Sequence, residues 1–332
     1  GLSIFAIGLF KKTVLADGIA PYANPVFNAV DNGQTVDFFT AWGGALAYSF
    51  QLYFDFSGYS DMAIGLARMF GIVLPLNFYS PYKAASITEF WRRWHITLSH
   101  FLRDYVYIAL GGNRRGRTRR FTNLMTTMLL GGLWHGAGWN FIIWGGLHGL
   151  YLILHQIWQA LLSKLSLKTS GSVYSGLAWL VTMLCVVVGW VFFRATTFEG
   201  AIGLLQSMIG LHGFTLPQGI MARLGDAGIF LQSLGMQVAL GGGQDFVLTW
   251  LWITVLLIIV LVMPNVQDMF NWVRCSLRNQ HFDTTDSVWP MLSRVCKLQW
   301  KESIGWAITC AACLALGFLT LFQVSEFLYF QF

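Results

Sequence analysis

Three uninterrupted apolar runs, Tyr174 to Phe193, Phe246 to Met263 and Ile304 to Phe322, approach the roughly 20 residues a helix needs to cross the hydrocarbon core of a bilayer. The stretch 121–161 is long enough for two further crossings, with a turn at GAGWN. Phe38 to Phe56 predicts another, and residues 1–20 read as the remnant of one interrupted by Lys11 and Lys12. Continuous apolar runs exclude a membrane β-barrel, whose strands alternate polar and apolar positions. Residues 61–110 contain Arg68, Pro75, Pro81 and the amphipathic SITEFWRRWHITLSHFLRDYVYIAL. That pattern is too charged to span directly and predicts interfacial and re-entrant helices on the cytoplasmic side. Ser86 or Thr88 is placed to cap the first of these, with Glu89 in its first turn. Residues 196–240 predict short amphipathic helices on the outer face.

Composition agrees with the pattern. The 332 residues are 55% hydrophobic and 11% charged, and the mean hydropathy is +0.57, whereas a soluble domain carries about 25% charged residues. The fold class is therefore all-α and polytopic. Nine of the 21 Lys and Arg lie between Lys83 and Arg120, ending in GGNRRGRTRR, and five more between Arg274 and Lys301. Positive charge marks cytoplasmic loops, and the outer stretch 195–245 has one basic residue, Arg223. The net charge of +6 thus sets orientation in the membrane rather than nucleic-acid binding. Cys185, Cys275, Cys296, Cys310 and Cys313 are scattered without metal-ligand spacing and read as small buried hydrophobes; no metal site is expected. The chain lacks an initiator Met and is expected to be a fragment without its N-terminal part.

Polar groups inside the apolar segments carry the candidate chemistry. Tyr48, Gln51 and Asp55 share one helix face. Asp55 and Asp61 either shape a site or are structural, bonding to helix ends or pairing with Arg68, Arg92 or Arg93. Arg92 and Arg93, near the inner interface, suit anionic lipid heads or the phosphates of a nucleotide-bearing donor. His95, between Trp94 and Ile96, needs polar partners in so apolar a setting, while His100 lies about 140° around the helix and has no catalytic role. His135 sits in GGLWHGAGWNF beside Trp134 and near Asn140, toward the outer half of the membrane by the charge argument. A desolvated imidazole there stays uncharged and able to act as a general base on a hydroxyl. Gly132 with Gly136, and Gly145 with Gly149, form small-xxx-small pairs for close helix approach. His148 and His155 lie on one helix face with Tyr151 between, lining a cavity or bonding across helices; His212 and His281 carry no signal. No G-x-S-x-G, P-loop, HExxH or Rossmann fingerprint occurs.

In that order, QLYFDFSGYSDMAIGLARMFG, FWRRWHITLSHFLRDYVYIALGG and LLGGLWHGAGWNFIIWGGLHG resemble the membrane-bound O-acyltransferase (MBOAT) family. They resemble more narrowly its bacterial branch of alginate O-acetyltransferase and D-alanine transferase subunits. The resemblance implies a single membrane domain over 1–332, lacking the family's first helices, in which a bowl of tilted and re-entrant helices surrounds a central tunnel. It puts the family's near-invariant active-site histidine on His135 and its second histidine on His95. It also implies acetyl-CoA as donor substrate with no tightly bound cofactor, a location in the bacterial inner membrane, and transfer toward a periplasmic polysaccharide such as alginate, directly or through SGNH-like acetyltransferase partners. In that scheme His135 takes the proton of the attacking hydroxyl, and His95 positions the thioester or donates to its oxyanion. Trp134, Asn140, Asp55, Gln51, Arg92, Arg93 and His148 are the candidates for lining the tunnel. The alternatives are D-alanyl or other acyl transfer to an envelope polymer, and a transporter, which the absence of repeated halves does not favour.

Overall fold

The computed structural model describes residues 1–166, 171–270 and 298–321. Lys168, Cys275, Cys296, His281, most of the second basic cluster and the C-terminal YFQF lie outside the described residues. The chain opens as one long helical path: α1 (Leu2–Phe10), a π-helical turn (Lys11–Ala16) and α2 (Asp17–Asp31). It therefore runs past the expected end at residue 20. The lysines do not interrupt it, because each has an acidic partner. The wider π turn narrows the angle between consecutive side chains, so both lysines reach neighbouring carboxylates. Lys11 Nζ meets Asp61 at 2.8 Å, and Lys12 Nζ meets Asp17 at 2.7 Å and Asp55 at 2.8 Å. Asp55 and Asp61 are thus paired with lysines, not with the arginines the sequence suggested.

The carboxylates at 55 and 61 belong to α3 (Phe38–Met69), which Asp37 caps by accepting from the N–H groups of Phe39 and Thr40. α1 packs on α3 at backbone distance, and a Cβ on Gly8 would lie 2.6 Å from Met62 N and one on Gly65 2.6 Å from Phe5 N. After an irregular stretch come α4 (Ile87–Arg93) and α5 (Ile96–Phe101), the latter extended by a π turn (Leu102–Tyr107). The hairpin of α6 (Gly116–His135) and α7 (Trp139–Lys164) follows, turning at Gly136–Gly138 as GAGWN predicts. Within it Gly132 faces Gly145, and a methyl on either would overlap a carbonyl of the opposite helix, of Phe141 or Met128. Gly136 is the C-cap and meets the Phe141 ring instead. Both small-xxx-small pairs thus face the opposite helix, with the closest approach at Gly132 and Gly145 and with Gly149 against Met125 and Met128.

α8 (Ser172–Arg194) returns along this hairpin. Beyond it lie α9 (Phe198–Met208), β1 (Thr215–Pro217), α10 (Gln218–Leu224), α11 (Asp226–Ser233) and β2 (Gln237–Ala239). The two short strands pair in parallel, Thr215 opposite Gln237, a small exception to the all-helical expectation. Tying this region to the start of α3 are Phe38 N–H donating to Gly213 O at 3.0 Å and Trp42 Nε1 donating to Met208 O at 2.9 Å. α12 (Gly243–Val262), α13 (Val266–Met269) and α14 (Ile304–Thr320) complete the described chain.

Among the described residues α7, α8 and α12 are long and apolar enough to cross a membrane. α3 is longer, at 32 residues, but carries Asp55, Asp61 and Arg68. The core between α3, α4, α7 and α8 is a column of aromatic rings. Phe90, Trp94 and Tyr82 stack at 5.6 to 6.5 Å, with Trp190 4.9 Å from Trp94 and 6.0 Å from Trp144. Tyr82 Oη clamps the column by donating to Ser49 O at 2.6 Å and accepting from Trp190 Nε1 at 3.1 Å.

Candidate active site

α4 starts at Ser86, whose Oγ accepts from Glu89 N–H at 3.2 Å, the cap the sequence predicts. Glu89 accepts from Ala85 N–H at 2.8 Å with Oε2 and pairs with Arg93 at 2.6 Å through Oε1. Arg93 is buried and also lies over the Tyr79 ring at 5.5 Å, so it is not available for lipid heads or donor phosphates. Arg92 is the exposed one. Neutralising Arg93 lets α4 penetrate the fold. It runs antiparallel to α7, with Trp91 Nε1 donating to His148 Nδ1 at 3.2 Å and Thr88 Oγ1 2.9 Å from His155 Nδ1.

At the inner end of that path α4 stops abruptly. Trp94 is extended, and His95 adopts a left-handed backbone at φ 42°, ψ 56°, costly for a residue with a Cβ and found where surrounding structure over-determines it. Asn77 fixes the His95 ring. Asn77 Oδ1 accepts from Thr97 Oγ1 at 2.9 Å and Thr97 N–H at 3.3 Å, which identifies it as the oxygen, and it lies 3.1 Å from His95 Nδ1. In the neutral ring Nδ1 therefore carries the proton, and Nε2 presents its lone pair. A neutral His95 held this way has an acceptor, not a donor, at Nε2.

His135 is the last residue of α6, half-buried, and is enclosed edge-on by three aromatic rings: Trp134 at 4.9 Å, Trp144 at 5.1 Å and Phe193 at 5.1 Å. Trp134, 54% exposed, joins the two histidines, since its ring is 6.3 Å from His95. Phe56 of α3 closes the other side of His95 at 4.9 Å. Both imidazoles thus lie at one end of the α6–α7 hairpin, remote from the basic loop. The charges suggested an inner position for His95 and an outer one for His135; both rings instead adjoin Trp134.

The other candidates lie apart from this pair. Asn140 donates to Ala195 O at 2.6 Å and ties α7 to the end of α8. Asp55 belongs to the Lys12 cluster, and Gln51 is buried beside it on α3. His148 is fully buried, its rim formed by Phe90, Trp91, Trp144 and Trp190 at 5.0 to 6.2 Å. Trp144 lies between it and His135, 5.0 Å from the one ring and 5.1 Å from the other. Sequence reasoning missed Asn77, in an irregular stretch without periodicity, and the rings of Trp144, Phe193 and Phe56, whose bulk reads as ordinary core.

These features define a helical membrane protein with two converging histidines in an aromatic setting. The membrane-bound O-acyltransferase family model matches residues 1–195, and the chain belongs to that family. It is 52% identical over 216 residues to a peptidoglycan O-acetyltransferase of Helicobacter pylori, covering 65% of this chain and 40% of that protein. To a probable alginate O-acetylase of Pseudomonas putida it is 49% identical over 224 residues, 68% of this chain and 44% of that one. To a teichoic acid D-alanyltransferase of Streptococcus thermophilus it is 34% identical over 160 residues, 46% and 39% of the two chains. The aligned part therefore spans well under half the length of these relatives.

Proposed function

We propose that the protein is a membrane O-acyltransferase that moves an acetyl group from cytosolic acetyl-CoA toward a polymer outside the bacterial inner membrane. The observation that carries this reading is the convergence of His95 and His135 on Trp134, in apolar surroundings that favour neutral, proton-accepting imidazoles. The acceptor hydroxyl loses its proton to His135 as its oxygen attacks the thioester carbonyl. The new C–O bond forms, the C–S bond breaks, and the CoA thiolate takes up the proton. His95, with Nδ1 committed to Asn77, orients the incoming hydroxyl through Nε2. The chain acts as one membrane domain over 1–332, and SGNH-like acetyltransferase partners relay the acetyl group to the polysaccharide. The relatives' names support two acceptors, an alginate-type exopolysaccharide and peptidoglycan; D-alanyl transfer is the alternative cargo.

The test uses the full-length protein with radiolabelled acetyl-CoA. His135→Ala should lower transfer by on the order of a hundredfold or more while the protein remains inserted and monodisperse. Activity above about a tenth of wild type would remove His135 from the role of base, since a general base contributes far more than that.

A further inference from the structure

At the opposite end of the α6–α7 hairpin from His135, a cavity of about 360 Å³ opens between the two helices, lined by Asn113, Arg117, Arg120, Phe121 and Gln156 among others. Two guanidinium groups line it, those of exposed Arg117 and of Arg120. Arg117 and Arg120 lie over the same Phe121 ring, at 5.5 and 5.9 Å, and Arg120 Nε donates to Gln156 Oε1 at 2.6 Å. Among the described residues neither has a carboxylate partner, whereas Arg93 and Arg103 are paired with Glu89 and Asp104. The bias of positive charge toward cytoplasmic loops accounts for arginines here. It does not account for two forks without a carboxylate partner lining one cavity, one of them oriented by Gln156.

A planar guanidinium fork matches the oxygens of a phosphate, and the volume is at the small end for ligand pockets, enough for a phosphate ester and too small for a folded partner. We propose that this cavity binds a phosphate ester. It has two sources at the inner face: the nucleotide end of the acyl donor, and the headgroup of an anionic phospholipid. The first rests on the acyl-CoA reading above; the second does not. Arg120 and His135 stand on one helix, about 22 Å apart along its axis, so a donor held here would reach the histidines only through its extended thioester arm.

The experiment uses full-length protein in nanodiscs. One arm titrates phosphatidylcholine discs with adenosine 3′,5′-bisphosphate, which has the donor's phosphates without its thioester. The other counts phosphatidylglycerol retained from mixed discs by native mass spectrometry. Wild type should bind one or both probes, and R117A/R120A should weaken that binding by about tenfold or more for each fork removed. Gln156→Leu, which frees Arg120 without changing charge, should weaken it less. Nucleotide binding lost in the double variant assigns the donor; phosphatidylglycerol retention lost without nucleotide binding assigns the lipid. Binding of neither probe, or binding unchanged in the double variant, overturns the proposal. H135A separates this from the catalytic reading, because it should lose acetyl transfer and keep phosphate binding. If instead wild type transfers no acetyl group but retains phosphatidylglycerol through Arg117 and Arg120, the catalytic reading fails and the cavity stands.

Discussion

Asn77 decides which nitrogen of His95 carries the proton. Its oxygen takes three donors, from Thr97 twice and from His95, so the imidazole has one tautomer while that oxygen stays in place. Asn77→Ala should release the ring and lower kcat by on the order of tenfold with KM little changed, whereas Asn77→Asp, still an acceptor, should retain most activity. Steady-state acetyl transfer distinguishes the two, and an unchanged kcat in Asn77→Ala would reduce His95 to a packing residue. His95 and His135 were legible in the sequence because an ionisable ring in an apolar run has few bland uses. Asn77 was not: it sits in PLNFYSP, and Ser80, three residues on, has a left-handed backbone at φ 46° that no periodicity signals.

Among elements, the α6–α7 hairpin holds the site together. Its helices touch at Gly132 and Gly145, where a methyl would overlap opposing backbone, and His135 follows Gly132 by one helical turn. Gly132→Ala should force the helices apart, at a cost of about 1–3 kcal/mol, and displace His135 from Trp144 and Phe193. A lower thermal midpoint in detergent together with reduced acetyl transfer is the expected result; a midpoint equal to wild type would show that the contact yields without strain. The hairpin was readable from its turn residues and glycine spacing. The depth of α4 was not, because its charges read as interfacial until Glu89 is seen to pair with Arg93. Nor was the π turn at Lys11–Ala16, since a one-residue widening leaves the apolar pattern on either side intact.

Across the whole molecule, α1, α2 and α3 are joined by charge as well as by packing. Lys12, with a side chain 5% exposed, lies between Asp17 and Asp55, at 8% and 3%. Removing one member of a buried pair leaves the other unopposed, at about 3–5 kcal/mol. Lys12→Met should therefore destabilise the complete protein, read as a lower thermal midpoint. In a segment ending at Asp31 it is Lys11 that loses its partner, Asp61 of α3: a lysine without its carboxylate at the centre of a membrane helix costs roughly 2.5–3.5 kcal/mol, so Lys11→Met should raise insertion of that segment in a glycosylation-mapping assay. Poorer insertion of the shortened variant would contradict the pairing. The π turn that aims both lysines at α3 thus bears on biogenesis. Neither the opening helices nor α3 is at ease in lipid without the other, and the translocon must hold the first until the second emerges.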